Sequence, residues 1–163
     1  MKNIFGVVIL ASAMWMMLGC SSSSIKEEPK EEKIEEVVDF YKGADISWVT
    51  ELESKGHKFY NANGEERECT ALMKEYGMNA IRLRVWVDPK EHGNWCNKED
   101  VLVKAKRAKA LSMEVMVDFH YSDWWADPAK QNIPASWKEH TYEQMKKDVA
   151  DHTKEVLQLL KDN

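Results

Sequence analysis

The sequence predicts an α/β fold built on a parallel sheet, and three observations lead to this prediction. Strand-like segments occur at "GADISW", "NAIRLRVWVDP" and "EVMVDFH", and the second of them alternates with the period of two that is typical of a strand. Helical segments separate these strands by roughly 35 residues, a spacing that requires crossover connections and parallel pairing. The second and third strands also carry arginine, tryptophan, aspartate and histidine, whereas a parallel strand buried on both faces is almost entirely apolar.

Two architectures fit this order of elements, a doubly wound sheet and a (β/α)₈ barrel. No Gly-x-Gly-x-x-Gly pattern follows the first strand, which weakens the nucleotide-binding form of the doubly wound sheet. Polar residues at the carboxyl ends of consecutive strands favour the barrel, because barrel enzymes hold their active sites there. We therefore predict that residues 40–163 form about three βα units, the N-terminal part of a (β/α)₈ TIM barrel.

A complete barrel needs about 250 residues, whereas this chain has 163. We expect the chain to be the N-terminal part of a longer protein, truncated before the fourth strand.

The connecting segments contain helix and turn signals. "WVTELESKG" has the pattern of a helical turn stopped by Gly56, and "HKFYNANGE" that of a loop that turns at Asn63 and Gly64. "ERECTALMKEYG" predicts a helix ending at Gly77, a residue suited to the left-handed position after a helix.

The last two helices have clearer start signals and apolar faces. Asn97 is a good N-cap for the first of them, whose predicted buried face consists of Val101, Ala105 and Ala108. The final helix opens with a capping box from Thr141 to Gln144. Its predicted buried stripe is Met145, Val149, Thr153, Val156 and Leu160.

The first 20 residues have the pattern of an export signal. Lys2 precedes an apolar run that is short for a transmembrane helix, and "MLGC" at its end resembles a bacterial lipoprotein box. We expect Cys20 to be lipidated, with an ordinary cleaved signal as the alternative; either signal exports the protein. Residues 21–39 are rich in serine and charge and predict a disordered tether. The expected location is the outer membrane or the cell surface, with the lipid anchor in the membrane.

The formal net charge of −5 argues against nucleic acid as a partner. With Cys20 assigned to the anchor, Cys69 and Cys96 remain. Outside the cytoplasm such a pair predicts a disulfide. Cys69 lies in the first half of the helix before the second strand and Cys96 in the loop after that strand, and we expect both places to lie at the catalytic end of the barrel. No Cys-x-x-Cys or His-x-x-x-His pattern is present, so neither a metal nor a cofactor is expected.

Four of the polar and aromatic residues should meet at the mouth of a barrel: Arg84, Asp118, His120 and Trp124. Tryptophan stacks on the apolar face of a sugar ring, while histidine and aspartate bond to its hydroxyl groups. Arginine pairs with carboxylates, and glycosidases work with paired carboxylates. The pattern therefore predicts acidic catalysis on a carbohydrate. Arg82 lies lower on its strand, where a structural pairing is expected.

The segments "GADIS", "GMNAIRLRVWVDP", "VLVKAKRAKALSMEVMVDFHYSDWWADPAKQ" and "PASWK" resemble the N-terminal half of glycoside hydrolase family 53, the arabinogalactan endo-β-1,4-galactanases. The resemblance runs from about Lys42 to the end of the chain. It implies a retaining barrel enzyme that cleaves internal β-1,4-galactosyl bonds in the arabinogalactan of pectin.

The resemblance also implies roles for particular residues. Arg84 matches an arginine that supports the nucleophile, His120 a histidine lining the central subsite, and Trp124 or Trp125 a tryptophan facing sugar. Asp45 is carried over from the first strand. Asp118, one step below His120, is expected to orient its neighbours.

The two catalytic glutamates of the family lie on the fourth and seventh strands, beyond Asn163. We therefore expect no catalytic residue in this chain and no activity from the chain alone.

Two other functions stay open from the sequence. A surface-anchored, non-catalytic glycan-binding lipoprotein would need only the anchor, the tether and the tryptophans. A metal-dependent barrel hydrolase could use Asp118, His120 and Asp123, although the His-x-His pattern usual on the first strand of such barrels is missing.

Overall fold

The computed structural model describes residues 40–163. The predicted signal, Cys20 and the tether lie outside the described residues. In chain order the elements are β1 (Gly43–Asp45), α1 (Val49–Ser54), β2 (Phe59–Tyr60), β3 (Glu66–Arg67), α2 (Cys69–Glu75), β4 (Ala80–Val85), α3 (Lys98–Ala110), β5 (Glu114–Phe119) and α4 (Tyr142–Lys161). None of the helices in residues 40–163 is long and apolar enough to cross a membrane.

The main sheet is parallel, with the strand order β1-β4-β5. In its register Ala44 lies beside Ile81, which lies beside Val115. Gly43 allows the close approach of β1 to β4, because a Cβ atom there would lie 2.8 Å from the carbonyl oxygen of Ala80. The three strands and their crossovers confirm the predicted βα architecture.

The two faces of β4 have opposite characters. Ile81, Leu83 and Val85 are buried on the face that packs against the helices. Arg82 and Arg84 point to the other face, as the period of a strand requires. The core on the helical side also takes in residues from the neighbouring elements, namely Ile46, Val49, Cys69, Val101, Ala108, Met113 and Val156.

The predicted helix signals are confirmed. Asn97 accepts a hydrogen bond from the amide of Asp100 at the start of α3, and Thr141 forms a complete capping box with Gln144. Gly77 has a φ of 82° after α2.

The predicted buried face of α3 needs one correction. Lys104 is fully buried, whereas Ala105 is only partly buried.

The segment after α1 was expected to be a loop, but it contains the antiparallel ladder β2–β3, in which Phe59 pairs with Arg67. The Asn61 side chain accepts hydrogen bonds from the amides of Asn63 and Glu65, both 3.0 Å long. Gly64 takes a φ of 76° in this turn. The predicted turn is therefore present, and it closes a short hairpin.

The predicted disulfide is wrong, because Cys69 and Cys96 are both free thiols in buried positions. The reason lies in the length of α2. Its seven residues span about 10 Å, whereas the six residues of β4 span about 20 Å. Cys69, the first residue of α2, therefore does not reach the carboxyl edge of the sheet.

The contacts of α3 place the two cysteines near its opposite ends. Cys96 lies two residues before the start of α3 at Lys98. Glu68, next to Cys69, accepts a hydrogen bond from Arg107 in the last turn of α3. Burial raises the pKa of the Cys69 thiol to about 11, with smaller contributions from neighbouring glutamates.

Candidate functional site

The carboxyl ends of β1, β4 and β5 lie side by side, and an ionic bridge crosses them. Arg82 donates to Asp45 over 2.8 Å and to Asp118 over 2.5 Å. In the register Asp45 lies beside Arg82, whereas Asp118 lies beside Arg84, the next residue on the same face of β4. The structural pairing expected for Arg82 is confirmed, and both of its partners are predicted site residues.

Asp45 is held as an anion. Its Oδ1 accepts hydrogen bonds from the amide of Ser47 over 2.9 Å and from the Ser47 hydroxyl over 2.5 Å. Burial is the largest influence and acts to raise the pKa of Asp45, but the Ser47 hydrogen bonds and the charges of Arg82 and Arg84 together hold it below its usual value. Asp45 therefore supplies fixed negative charge beneath the edge.

Asp118 orients His120. The Asp118 carboxylate accepts a bond of 2.9 Å from His120 Nε2 in addition to the bond from Arg82. This contact favours the tautomer with the proton on Nε2. His120 Nδ1 is then an acceptor, and it is buried without a partner in the part of the chain that the structure describes. The expectation that Asp118 orients its neighbours agrees with this geometry.

The guanidinium of Arg84 is buried among three tryptophans. Its central carbon lies 4.6 Å from the ring centroid of Trp48, 4.3 Å from Trp86 and 4.1 Å from Trp125. Guanidinium groups stack favourably on aromatic faces. Its Nη2 donates to the sulfur of Cys96 over 3.3 Å, while Nε is buried without a partner in residues 40–163.

The two adjacent tryptophans of the loop after β5 have different environments. Trp124 packs between Trp86 and His92, with ring centroids 4.6 and 3.7 Å away. Trp125 is 42% exposed and covers Arg84, and its ring centroid lies 6.1 Å from that of His120. Sequence did not distinguish these two residues. Their environments make Trp125 the one with a surface free for a ligand.

The loop that carries both tryptophans is braced by Asp123. One carboxylate oxygen accepts from the amide of Asp88 over 3.0 Å and the other from the amide of Ala135 over 2.8 Å. Ser122 adds a main-chain bond, accepting from the amide of Val87.

These contacts argue against the metal-site alternative, because Asp123 is turned towards backbone amides and Asp118 towards Arg82 and His120. Among the described residues, no group of three His, Cys, Asp or Glu side chains is placed to hold a metal ion.

Sequence reasoning missed Trp48, Trp86 and Lys104 as contributors to the site, and it assigned Cys96 to a disulfide instead. Trp48 follows β1, and Trp86 continues the face of β4 that carries Arg84. Both could have been found from their places at strand ends. Lys104 is fully buried on the apolar face of α3. The sequence does not indicate this burial, because lysine is normally exposed to solvent.

The arrangement suits a polyhydroxylated ligand with an apolar face. Exposed tryptophan offers a stacking surface, and the histidine and carboxylates beside it offer donors and acceptors. A set of such residues at the carboxyl edge of a βα sheet is typical of (β/α)₈ barrel enzymes, whose active sites lie at this edge.

Comparison with known proteins gives the family. Residues 41–163 match the profile of Glycosyl hydrolase family 53. The endo-beta-1,4-galactanase of Bacillus subtilis (strain 168) is 41% identical over 126 residues, which are 74% of this chain and 29% of that protein. The arabinogalactan endo-beta-1,4-galactanase of Humicola insolens is 44% identical over 97 residues, 60% of this chain and 29% of that protein.

A solved structure shows the same fold. The Ignisphaera aggregans GH53 catalytic domain superposes with a TM-score of 0.71 at 39% identity, covering 76% of this chain and 36% of that one. The chain belongs to glycosyl hydrolase family 53 and forms part of its (β/α)₈ barrel. It spans about a third of the length of the relatives that it matches.

Proposed function

We propose that the protein carrying this chain is an endo-acting glycoside hydrolase that cleaves β-1,4-galactosidic bonds in the arabinogalactan of pectin. In this proposal residues 40–163 supply the part of the barrel mouth that binds the sugar. The observation that carries the proposal is the set of Arg84, His120 and Trp125, which stands at the carboxyl edge of a sheet belonging to family 53. The relatives named as galactanases support the substrate class.

Each of these residues has a role that follows from its contacts. Trp125 stacks on the apolar face of a galactosyl ring. His120 accepts a hydroxyl hydrogen bond at Nδ1, since Asp118 occupies Nε2. Arg84 presents a permanent positive charge at the edge of the sheet, where it supports the negative charge of the nucleophile carboxylate. Arg84 and His120 thereby serve the retaining two-carboxylate reaction of glycosidases.

The family resemblance implies that both catalytic glutamates lie on the fourth and seventh strands of the barrel. The described residues contain three strands of the main sheet. The proposal therefore assigns to this chain sugar binding without bond cleavage.

The test is binding of β-1,4-linked galactotetraose to the full chain, measured by tryptophan fluorescence and calorimetry. Trp125→Ala should lower the affinity about tenfold, which corresponds to about 1.4 kcal/mol. The matched control is Tyr76→Ala, which removes an aromatic residue that is also exposed (56%) and lies just before β4, at the amino end of the sheet. Equal losses in the two variants, or no binding by the wild-type chain, would contradict the proposal.

Release of reducing ends from galactan separates the enzyme from a non-catalytic glycan-binding lipoprotein. A form of the protein that contains the whole barrel should release them, whereas a binding lipoprotein would hold galactan without cutting it.

We also propose that the protein is exported and anchored by a lipid on Cys20. "MLGC" at the end of an apolar run supports this. Metabolic labelling with palmitate in a bacterial host should mark the wild-type protein and the Cys69→Ser control but not Cys20→Ser, and the label should follow the membrane fraction. Labelling of Cys20→Ser at the wild-type level would contradict the anchor.

A further inference from the structure

A buried polar cluster lies behind Arg84, and the roles described above do not use it. It consists of Ser47, Arg84, Cys96, Asp100 and Lys104, and it joins β1, β4 and the start of α3. All but Asp100 are buried, and the side chain of Asp100 is nearly so. A charged lysine with no exposed surface is expensive to bury unless each of its protons finds an acceptor.

Lys104 is well satisfied. Its Nζ lies 2.6 Å from a carboxylate oxygen of Asp100 and 2.8 Å from the carbonyl oxygen of Ser47, with the sulfur of Cys96 at 3.9 Å. These contacts bind the ammonium to α3 on one side and to the end of β1 on the other. The lysine therefore ties α3 to the segment that follows β1.

Cys96 stands between this lysine and Arg84. Its sulfur accepts from Arg84 Nη2 over 3.3 Å and donates to the carbonyl oxygen of Ser47 over 3.3 Å. Its amide donates to Asp100 over 2.6 Å, and its carbonyl oxygen accepts from the amide of Trp86. These bonds hold Cys96 at a φ of 61°, a conformation that residues other than glycine adopt only under constraint.

We propose that Cys96, locked in place by the Lys104 ammonium, positions the Arg84 guanidinium for the nucleophile carboxylate that it supports. Three tryptophan rings occupy the faces of the guanidinium, so only its edge is left for hydrogen bonds. Cys96 takes the Nη2 part of that edge. Nε, buried and without a partner among the described residues, is then a donor left for the nucleophile carboxylate.

The role of Arg84 that this positioning serves rests on the proposed function. Whether Cys96 positions Arg84 can be tested without any sugar. The tryptophan bands of the near-ultraviolet circular dichroism spectrum report how Trp48, Trp86 and Trp125 surround Arg84. An Arg84→Gln variant gives the reference spectrum for rings without the guanidinium.

The full chain is compared with Cys96→Ala, Cys96→Ser and, as the matched control, Cys69→Ala, which truncates the other buried cysteine. Cys96→Ala should move the tryptophan bands towards those of Arg84→Gln but change galactotetraose binding less than about threefold, because Arg84 serves the nucleophile and not the sugar. Cys96→Ser keeps a donor and an acceptor and should keep the wild-type bands. Cys69→Ala should leave the bands unchanged.

The positioning role would be overturned if the tryptophan bands of Cys96→Ala were those of the wild type. It would also be overturned if Cys69→Ala changed the bands as much as Cys96→Ala does. If Cys96→Ala does not fold, Lys104→Met decides by the same comparison, because it removes the ammonium and keeps an apolar side chain of similar length. A wild-type chain that binds no galactotetraose would refute the proposed function alone, since the spectral comparison still decides the positioning.

Discussion

At the scale of single residues, the positive charges of the two arginines of β4 are stabilised by different kinds of contact. Arg82 is compensated by the carboxylates of Asp45 and Asp118. Arg84 has no carboxylate partner among the described residues and relies on three aromatic faces and the Cys96 sulfur. Each cation–π contact contributes about 0.5–2 kcal/mol. This leaves the charge of Arg84 available to a carboxylate that enters its site.

Arg84→Lys is the sharpest test of this difference. Lysine keeps the charge but loses the planar group that stacks on tryptophan and bonds through its edge. In the protein with its catalytic carboxylates, we expect kcat on galactan to fall on the order of 100-fold and KM to change less than about threefold, because the lost interaction acts mainly on the transition state. Steady-state kinetics measure both values.

An increase in KM with kcat unchanged would show instead that Arg84 binds substrate. Lys58→Arg, a change of the same two residue types at an exposed position on the hairpin side of the fold, is the control and should alter neither value.

At the scale of elements, α4 is anchored by a histidine that the apolar stripe did not predict. His152 is buried, and the rings of Phe119 and Trp137 surround it in edge-on contacts. No described residue is a hydrogen-bond partner of its Nε2. Burial, more than the opposing charge of Glu155, lowers the pKa of His152 below its ordinary value of 6.5. The neutral imidazole is therefore the form that packs.

This predicts that the fold loses stability in mild acid. The unfolded chain protonates His152 near pH 6.5, whereas the folded chain does so only at lower pH. Between these values the unfolded state binds more protons, so the free energy of unfolding falls as the pH falls. The stability is fully present above pH 6.5 and is lost as the pH drops through the folded pKa.

Urea unfolding at about pH 7.5 and about pH 5.5 measures this effect. The midpoint should fall with pH in the wild type and less in His152→Leu, while the control His57→Gln, an exposed histidine, should behave like the wild type. Asp45 and Glu68 have lowered pKa values, but they act below their ordinary values of 3.8 and 4.5 and so outside this window. An identical pH dependence in His152→Leu and the wild type would contradict the assignment.

At the scale of the whole molecule, the sheet presents one buried and one open face. Met116 is 63% exposed in the middle of β5 on the face opposite the helices, and Tyr41, just before β1, is similarly exposed. Gly43, Ala80 and Met116 line a shallow cavity of about 560 Å³ on this face. An exposed apolar surface of this kind is typical of a surface that packs against another protein segment or a partner.

We therefore expect the full chain to bind a hydrophobic dye such as ANS. Met116→Glu should reduce the dye fluorescence, whereas Leu157→Glu, the same kind of change at an exposed position on α4, should reduce it less. Equal fluorescence from wild type and Met116→Glu would show that this face is not the apolar surface in question. Far-ultraviolet circular dichroism checks that both variants keep the fold.

Much of the architecture was predictable because it depends on local rules. The alternation of β4, the N-cap at Asn97 and the capping box at Thr141 are set by neighbours within four residues, and each is present in the structure. The hairpin β2–β3 was missed because each of its strands has only two residues, too few to show a period.

The sequence by itself determined the order of the parallel strands and the helices, the polar edge of the sheet and, through its motifs, the family. Only the tertiary structure decided how distant residues meet. It separated Cys69 from Cys96 because α2 is shorter than β4, and it buried Lys104 because Asp100 and the Ser47 carbonyl satisfy its charge. It also distinguished Trp124 from Trp125. Side chains adjacent in sequence differ here because His92, Trp86 and Arg84 reach them from other parts of the chain, and no local pattern encodes such packing.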